Sequence, residues 1–501
     1  MNDLQSYQDQ GFGGFGSQEE VDSLIKAMQA GQITGRDTTN QLLGQEPLKA
    51  ESLETTLKLL DFRMKDIKLW NAIPKLTAYN TVEEYLQLVS YGTDRGGFYN
   101  EGELSDVEDS TYRREAQLVK YIQVTGEVTY QAQLVRSYVD AMRKEVENKT
   151  MWVVRKANNS LTKATSNIVG QEFNGIFAQH SSVGAGYAFT TIDDYFNSNY
   201  VIDLRGKSLT QANIEDASIN IDANFGSVDT LFAPPTVIAG LAKDYFRQQR
   251  ILLGNDGYKG EIGTNMKSID TTFGSVALNH DKGMKADPAK NLSAAATSAK
   301  APNAPVAVSQ ALTGADVKSK FVAGEAWTGA LGNVFYAVSA INRYGESALT
   351  VLNNTTKIAL TAGQSVDIKF TDGGGAVAAT GYVIYRSQIT ASVNATTDGI
   401  LFYPMFKVSV ADVAAGYDGA AATFVRDRNR YLPATEQAFV TEMVDDVLSF
   451  KSLAPISKME LAILGMSKRF ITFLFGTPIV YAPQKICRFV NVGPFTTSSY
   501  V

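Results

Sequence analysis

The chain has 501 residues, 44% of them hydrophobic and 20% charged, with a formal net charge of −6 and a single cysteine, Cys487. This is the composition of a globular protein, long enough for about two to four domains of ~150 residues. One cysteine excludes an intrachain disulfide framework. No run of ~18 apolar residues offers a transmembrane helix, and the mild acidity argues against a dedicated nucleic-acid binder held by phosphate neutralisation.

The start, MNDLQSYQDQGFGGFG, lacks the basic and apolar pattern of a secretory signal. With the lone cysteine, it points to folding in a reducing cytoplasm. Residues 1–45 are polar and read as an extended arm, with one helical patch at Glu19–Ala30. Leu53, Leu57, Leu60, Met64, Ile67 and Trp70 then stripe a helix over Glu51–Ile73, which Pro74 stops. Tyr79–Tyr91 reads as extended or turn-like at its start.

Residues 92–110 are Gly-rich and acidic, carrying Glu101, Glu103, Asp106, Glu108 and Asp109. Two extended runs follow, Tyr112–Tyr121 and Gln123–Leu134. Ile122, Val124, Val128 and Tyr130 alternate onto one face. Such a two-stranded ribbon has no core of its own and needs another surface.

The dominant segment is Ser137–Ile168. Val139, Met142, Val146, Val153, Ala157, Leu161, Ala164 and Ile168 recur at helical spacing, and neither Gly nor Pro interrupts them. A helix of this length spans about 45 Å at ~1.5 Å per residue. Its other face is read as basic, through Arg143, Lys144, Lys149, Arg155, Lys156 and Lys163.

Phe173–Asp203 reads as loops and short strands. Asp229–Pro235 is a short buried strand, and Pro235 suits the first position of a helix over Thr236–Gln249. Thr271–Leu278 is a further strand. This alternation predicts an α+β domain. Lys285–Pro305 has linker composition. Beyond it, Phe335–Asn342, Ser365–Phe370, Gly381–Arg386 and Phe402–Val410 are short alternating runs between Gly-rich turns, the pattern of a β-sandwich. Glu436–Phe450 is read as a helix, and Met459–Phe470 as a helix or a helix-to-strand switch. Phe470–Phe475, Pro478–Ala482 and Ile486–Val492 are apolar enough to be central strands that close the first domain's sheet. The sandwich is then an insertion within that domain.

Little in the chain points to chemistry. His180, His280 and Cys487 have no partners at metal-ligand spacing. An Asp281–His280 dyad is conceivable, but such loop pairs are commonplace. Glu83–Glu84, Asp193–Asp194 and Asp445–Asp446 are carboxylate pairs at chance frequency for a chain with 52 acids. Cys487 reads as a small buried hydrophobe. No enzyme activity, cofactor or metal is expected. What remains is charge geometry. The arm acids Glu101, Glu103, Asp106, Glu108 and Asp109 complement Arg143, Lys144, Arg155 and Lys156 on the long helix. An arm of this length reaches the same helix on a neighbouring copy, a head-to-tail contact that can close into rings. Two independently solvated faces explain the same charges equally well.

The order of elements is arm, helix ending in Pro, acidic ribbon, long helix, α+β domain and closing strands. It resembles the major capsid proteins of tailed bacteriophages, whose fold is shared with herpesvirus shells and encapsulins. The strings ESLETTLK from Glu51, YNTVEEY from Tyr79, TFGSV from Thr272 and GTPIVYAP from Gly476 are similar to those of a subset of large phages. The resemblance implies a seven-part organisation. Residues 1–45 are an N-terminal extension, 46–78 the N-arm and 79–136 the E-loop region. Residues 137–204 are the peripheral domain with its spine helix, and 205–285 the axial domain. Residues 286–430 are the linker and insertion, and 431–501 return to the axial and peripheral domains. It further implies self-assembly into hexamers and pentamers of an icosahedral shell around double-stranded DNA. Scaffold and portal proteins are implied as assembly partners, decoration proteins as further ones, and the virion as location, with no membrane. Within the insertion, YAVSAINRYGES from Tyr336 and GYVIYR from Gly381 resemble immunoglobulin and fibronectin type III repeats, which on phage shells implies a possible glycan ligand. Two other classes fit parts of the chain: a surface or tail adhesin using the sandwich, and an encapsulin-like compartment shell.

Overall fold

A computed structural model describes residues 35–36, 42–43, 66–92, 97–134, 140–181, 191–246, 266–322, 331–352, 357–390, 392, 394–395, 398–462 and 465–494. The chain divides at Asp61 into two units. In the first, Gly35–Arg36 pairs antiparallel with Leu42–Leu43. The expected helix at 19–30, and residues 51–65 of the one expected at 51–73, lie outside the described residues.

The second unit opens with one helical turn, α1 (Leu69–Ala72), and strand β1 (Lys75–Thr77) beyond Pro74. Strands β2 (Val82–Ser90) and β3 (Thr111–Leu118) pair antiparallel as a ribbon, from Val82 opposite Leu118 to Ser90 opposite Thr111. After Val119 comes β4 (Lys120–Thr129), then the short helix α2 (Tyr130–Leu134). The two expected runs at 112–134 therefore do not pair with each other. The first belongs to the ribbon with β2, and the second leaves for the body. Ile122 and Val124 pack on the body's core as their alternation requires, whereas Tyr130 has left the strand and is exposed.

The long helix is α3 (Ala141–Lys163), 23 residues, or roughly 35 Å at 1.5 Å per residue. Asp140 caps it, its carboxylate accepting the backbone N–H of Met142 at 2.9 Å. Val153, Val154, Ala157 and Leu161 are fully buried, so the apolar stripe is seated over the C-terminal half. Short helices α4 (Ile176–His180) and α5 (Ile192–Phe196) and strand β5 (Val201–Asp203) follow. Then come α6 (Gln211–Asp222), β6 (Thr230–Ala233) and α7 (Pro235–Phe246), the last with proline at its first position. β7 (Ser268–Thr271) and β8 (Gly274–His280) form a hairpin. The run expected as one strand at 271–278 straddles that turn, because Gly274 adopts φ +145°, which breaks an extended chain.

Residues 306–427 form a two-sheet antiparallel sandwich. One sheet sets β9 (Val306–Ala315) beside β11 (Gln364–Thr371) and β14 (Phe424–Asp427). The other joins β10 (Tyr336–Asn342), β12 (Gly381–Ser387) and β13 (Phe402–Ser409), with short edge strands at Gly345–Glu346 and Thr350–Val351. Helix α8 (Val410–Ala415) follows β13. Val366, Ile368 and Val425 from one sheet meet Tyr336, Val338 and Ile384 from the other in a single core. The strand order departs from the immunoglobulin one. There the first strand pairs with the second, but here β9 passes over β10 and pairs with β11. Alternation specifies strands and their faces and leaves their connections open.

After the sandwich the chain returns. β15 (Glu436–Thr441) and β18 (Ile486–Val492) enter a six-stranded sheet of order β5-β18-β15-β6-β8-β7. β16 (Leu448–Glu460) and β17 (Ser467–Val480) form a long hairpin in a four-stranded sheet of order β1-β16-β17-β4. The helix expected at 436–450 and the helical option at 459–470 are thus corrected to strands. β15 is buried on both faces, with Ala438 and Val440 on the α6–α7 side and Phe439 facing the α3 core. A doubly buried strand and a helix present similar apolar runs. Gly126 sits opposite Phe470, whose ring occupies the space a Cβ would need. At the neck of the sandwich, the Ala286 N–H donates to Glu436 at 2.7 Å.

Candidate assembly surface

The ribbon is fixed at its base and bare beyond it. Glu83 accepts the backbone N–H groups of Tyr79 at 2.8 Å and Asn80 at 3.1 Å, and pairs with Lys451 of β16 at 3.0 Å. Burial alone would raise its carboxyl, but the Lys451 hydrogen bond and the two N–H groups outweigh it and hold the pKa below the usual range. Gln87 donates to the Tyr481 carbonyl at 2.6 Å, and Tyr85 meets Tyr481 edge to face at 5.1 Å. Arg114 pairs with Glu84 across the ribbon and Arg113 with Glu115.

Past this base, Leu86, Val89, Tyr91 and Tyr112 are exposed. At residues 97–110 exposure is extreme: Phe98 is fully exposed, and Leu104 and Val107 are each 90% exposed. The five arm acids, Glu101, Glu103, Asp106, Glu108 and Asp109, are exposed beside them. Glu103 accepts from the Asn100 backbone at 2.9 Å, and the Asp106 N–H donates to the Tyr99 hydroxyl at 3.0 Å. These contacts shape the arm without covering its apolar groups. An uncovered apolar surface of this kind marks an association site. Phe98, Leu104 and Val107 are missed by a reading of charge alone. The signal was present, as three apolar residues in a Gly-rich segment with no periodic partner.

The outward face of α3 is less basic than its lysines and arginines suggest. Lys144 pairs with Glu147 at 3.0 Å, and Lys149 with Glu145 at 2.9 Å. Lys156 pairs with Glu172 at 3.1 Å, and Lys163 with Asp287 at 2.8 Å. Arg143 and Arg155 are exposed, and beside Arg155 stands Trp152, 44% exposed. The outward face is a mixed ionic surface with an aromatic on it. Among the described residues no ion pair joins the arm acids to Arg143, Lys144, Arg155 or Lys156 within one chain.

Among the described residues, no reactive constellation forms around the histidines or the cysteine. His180 is fully buried, with Nε2 3.0 Å from the Ile486 carbonyl and Nδ1 2.7 Å from the Tyr195 hydroxyl. Nε2 must carry the proton, since a carbonyl only accepts, so Tyr195 donates to Nδ1. Burial, aided by the Arg488 charge, pushes the His180 pKa down to about 3. His280 is exposed while Asp281 is buried and committed to backbone N–H groups, which rules out the dyad. Burial pushes the Cys487 thiol up to about 12. Among the described residues no cluster of three His, Cys, Asp or Glu side chains could hold a metal, and no helix is long and apolar enough to cross a membrane.

An α+β body carrying an arm with exposed apolar and acidic groups has the surface of a protein that associates with other chains. The family model for the SU10 major capsid protein matches residues 34–328, more than half of the chain. The chain belongs to that family: it is a tailed-phage major capsid protein, and its place is the capsid of the virion. The major capsid protein of Staphylococcus phage K is 24% identical over 476 residues, covering 94% of this chain and 95% of the relative. That of Staphylococcus phage S25-3 is likewise 24% identical over the same shares. Among solved structures, the capsid of cyanophage P-SCSP1u aligns over 91% of this chain and 96% of its own, at 7% identity and TM-score 0.42. The SrpI encapsulin of Synechococcus elongatus PCC 7942 aligns over 88% and 93%, at 8% identity and TM-score 0.39.

Proposed function

We propose that this chain builds an icosahedral shell from hexamers and pentamers, using the arm at residues 97–110 as its chief joint. The carrying observation is the solvent-exposed apolar and acidic arm tip, Phe98, Leu104 and Val107 among Glu101, Glu103, Asp106, Glu108 and Asp109. Its receiver is the outward face of α3 on a neighbouring copy. Trp152 supplies apolar area there, and Arg143, Lys144, Arg155 and Lys156 supply charge. The apolar groups give the contact its strength, and the charges set register and encounter rate. Such a contact is heterologous and closes into rings by rotation.

In this reading residues 79–136 act as the E-loop region, 137–204 as the peripheral domain and 205–285 as the axial domain at the capsomer centre. Residues 46–78 act as an N-arm gripping a neighbour. Residues 431–501 complete the axial and peripheral parts, and the insertion within 286–430 faces outward. Scaffold and portal proteins guide assembly, decoration proteins bind the finished shell, and packaged double-stranded DNA meets its inner face without sequence preference. A glycan ligand suits the sandwich, where the exposed Tyr344 lies against Arg343 and Lys300. The shell has no enzymatic role of its own.

Reversing the five arm acids to Lys tests the joint. Electron microscopy should then find soluble, folded subunits and no shells. Normal particles from that variant would refute it.

A further inference from the structure

A cavity of about 340 Å³ opens between the sandwich and the body. Its walls include Lys163 of α3, Phe177 and Ala178 of α4, Phe406 and Lys407 of β13, and Arg488 of β18. The charges lining it are unevenly served. Asp287 is engaged by Lys163 at 2.8 Å and lies 3.9 Å from Lys407. Glu436 is occupied by the Ala286 N–H.

Arg488 has no such counter-charge. It is 5% exposed. Its Nη1 donates to the Tyr195 hydroxyl at 3.3 Å, and its Nη2 to Gln437 Oε1 at 2.6 Å. Its guanidinium carbon stands 4.2 Å from the Phe177 ring centroid. Tyr195 has already given its proton to His180, so it only accepts here. The Arg488 Nε is buried without a partner, and among the described residues no carboxylate lies within ion-pair distance. A guanidinium stays charged at any working pH, and buried charges are normally paired. The missing counter-charge belongs to a residue that lines the wall of a cavity.

We propose that this cavity is an anion site, in which a small phosphate-type oxyanion supplies the charge that Arg488 lacks. The planar fork of guanidinium donors matches the oxygens of such an ion. Lys163 and Lys407 stand on the same wall, with Asp287 between them. The volume lies at the lower end of ligand pockets, which run from about 300 to 1,000 Å³. It holds a free phosphate with water, or the terminal phosphate of a small metabolite. The proposal is independent of how the shell is joined.

Titration calorimetry on the full-length chain tests it. Inorganic phosphate forms one arm and a nucleoside monophosphate the other, both at constant ionic strength set with chloride. One saturable site per chain is expected. Arg488→Gln should weaken it about tenfold or more. So should Ala178→Met, which fills the cavity and leaves Arg488 in place, so a folding defect in the first variant does not decide the matter. The tighter of the two probes identifies the source of the phosphate. Non-saturating heat with both probes, or equal affinity in wild type and Ala178→Met, would overturn the site.

Discussion

Asn158 donates through Nδ2 to Asp281 Oδ1 at 2.9 Å in the protein interior, across 123 residues of sequence. The same Asp281 oxygen takes the Gly283 N–H at 2.6 Å, and its other oxygen takes those of Lys68 at 3.0 Å and Leu69 at 2.8 Å. Asn158 in turn accepts the Trp70 N–H at 2.9 Å. The N–H groups at the start of α1 have no helical partners, and a remote carboxylate serves them. Asp281→Ala leaves those donors buried and bare. It should cost the subunit about 3–5 kcal/mol, read as a lower urea midpoint with an unchanged slope. Asp281→Asn, which keeps one carbonyl oxygen, should cost less. A loss within experimental error for Asp281→Ala would exclude this role.

His180 makes stability depend on pH in a defined direction. Burial and the Arg488 charge hold its folded pKa at about 3, against the ordinary 6.5 of an exposed imidazole. In between, the unfolded chain binds a proton that the folded chain refuses. The stabilisation is therefore complete above about pH 6.5 and is lost as pH falls toward about 3. Melting temperatures measured across that window should fall for wild type and flatten for His180→Gln. Parallel profiles would assign the acid sensitivity elsewhere.

The sandwich is tied to the body by ion pairs. Arg428 pairs with Asp316 at 2.8 Å and Asp193 at 3.4 Å, and Arg430 bridges Asp193 and Asp418. Burial opposes ionisation of Asp316, but hydrogen bonds from Arg428, Ser365 and the Lys318 N–H prevail and lower its pKa to about 2. This contribution is present above its ordinary value near 3.8 and is lost as pH falls through about 2. Asp316→Asn should remove that limb of the acid-unfolding curve. Arg430→Met leaves two largely buried carboxylates short of a partner and should cost about 3–5 kcal/mol by thermal unfolding of the purified subunit.

Phe98, Leu104 and Val107 are almost fully exposed, so trimming them should not touch subunit stability. Phe98→Ala combined with Leu104→Ala and Val107→Ala should leave the melting temperature unchanged and slow assembly severely, as followed by light scattering. A drop in melting temperature would mean that these side chains pack on their own subunit.

Much of this architecture is legible in the sequence where one face is buried and the other wet. The stripe Val153, Ala157 and Leu161 identifies α3, Pro235 marks the start of α7, and the alternating runs identify the sandwich strands. Legibility fails where both faces are buried, as at β15, since an unbroken apolar run carries no period. It fails again for pairing. Nothing local says that β3 joins β2 while β4 joins β17. The basic face of α3 is a different kind of miss. Glu145 and Glu147 stand four and three residues from Lys149 and Lys144, spacing that places opposite charges side by side on a helix. The arm acids are legible as a patch, and Phe98, Leu104 and Val107 beside them are legible only as apolar residues without a periodic partner.

The chain leaves the body at Ala286 and re-enters at Glu436, and these two residues touch. The sandwich is therefore a cassette on a closed neck: its two ends meet, and its removal would ask for only a short bridge between them. An ancestor could have gained, lost or exchanged it in one recombination event without redrawing the sheets on either side. The body and the inserted sandwich of this protein can thus follow separate evolutionary histories.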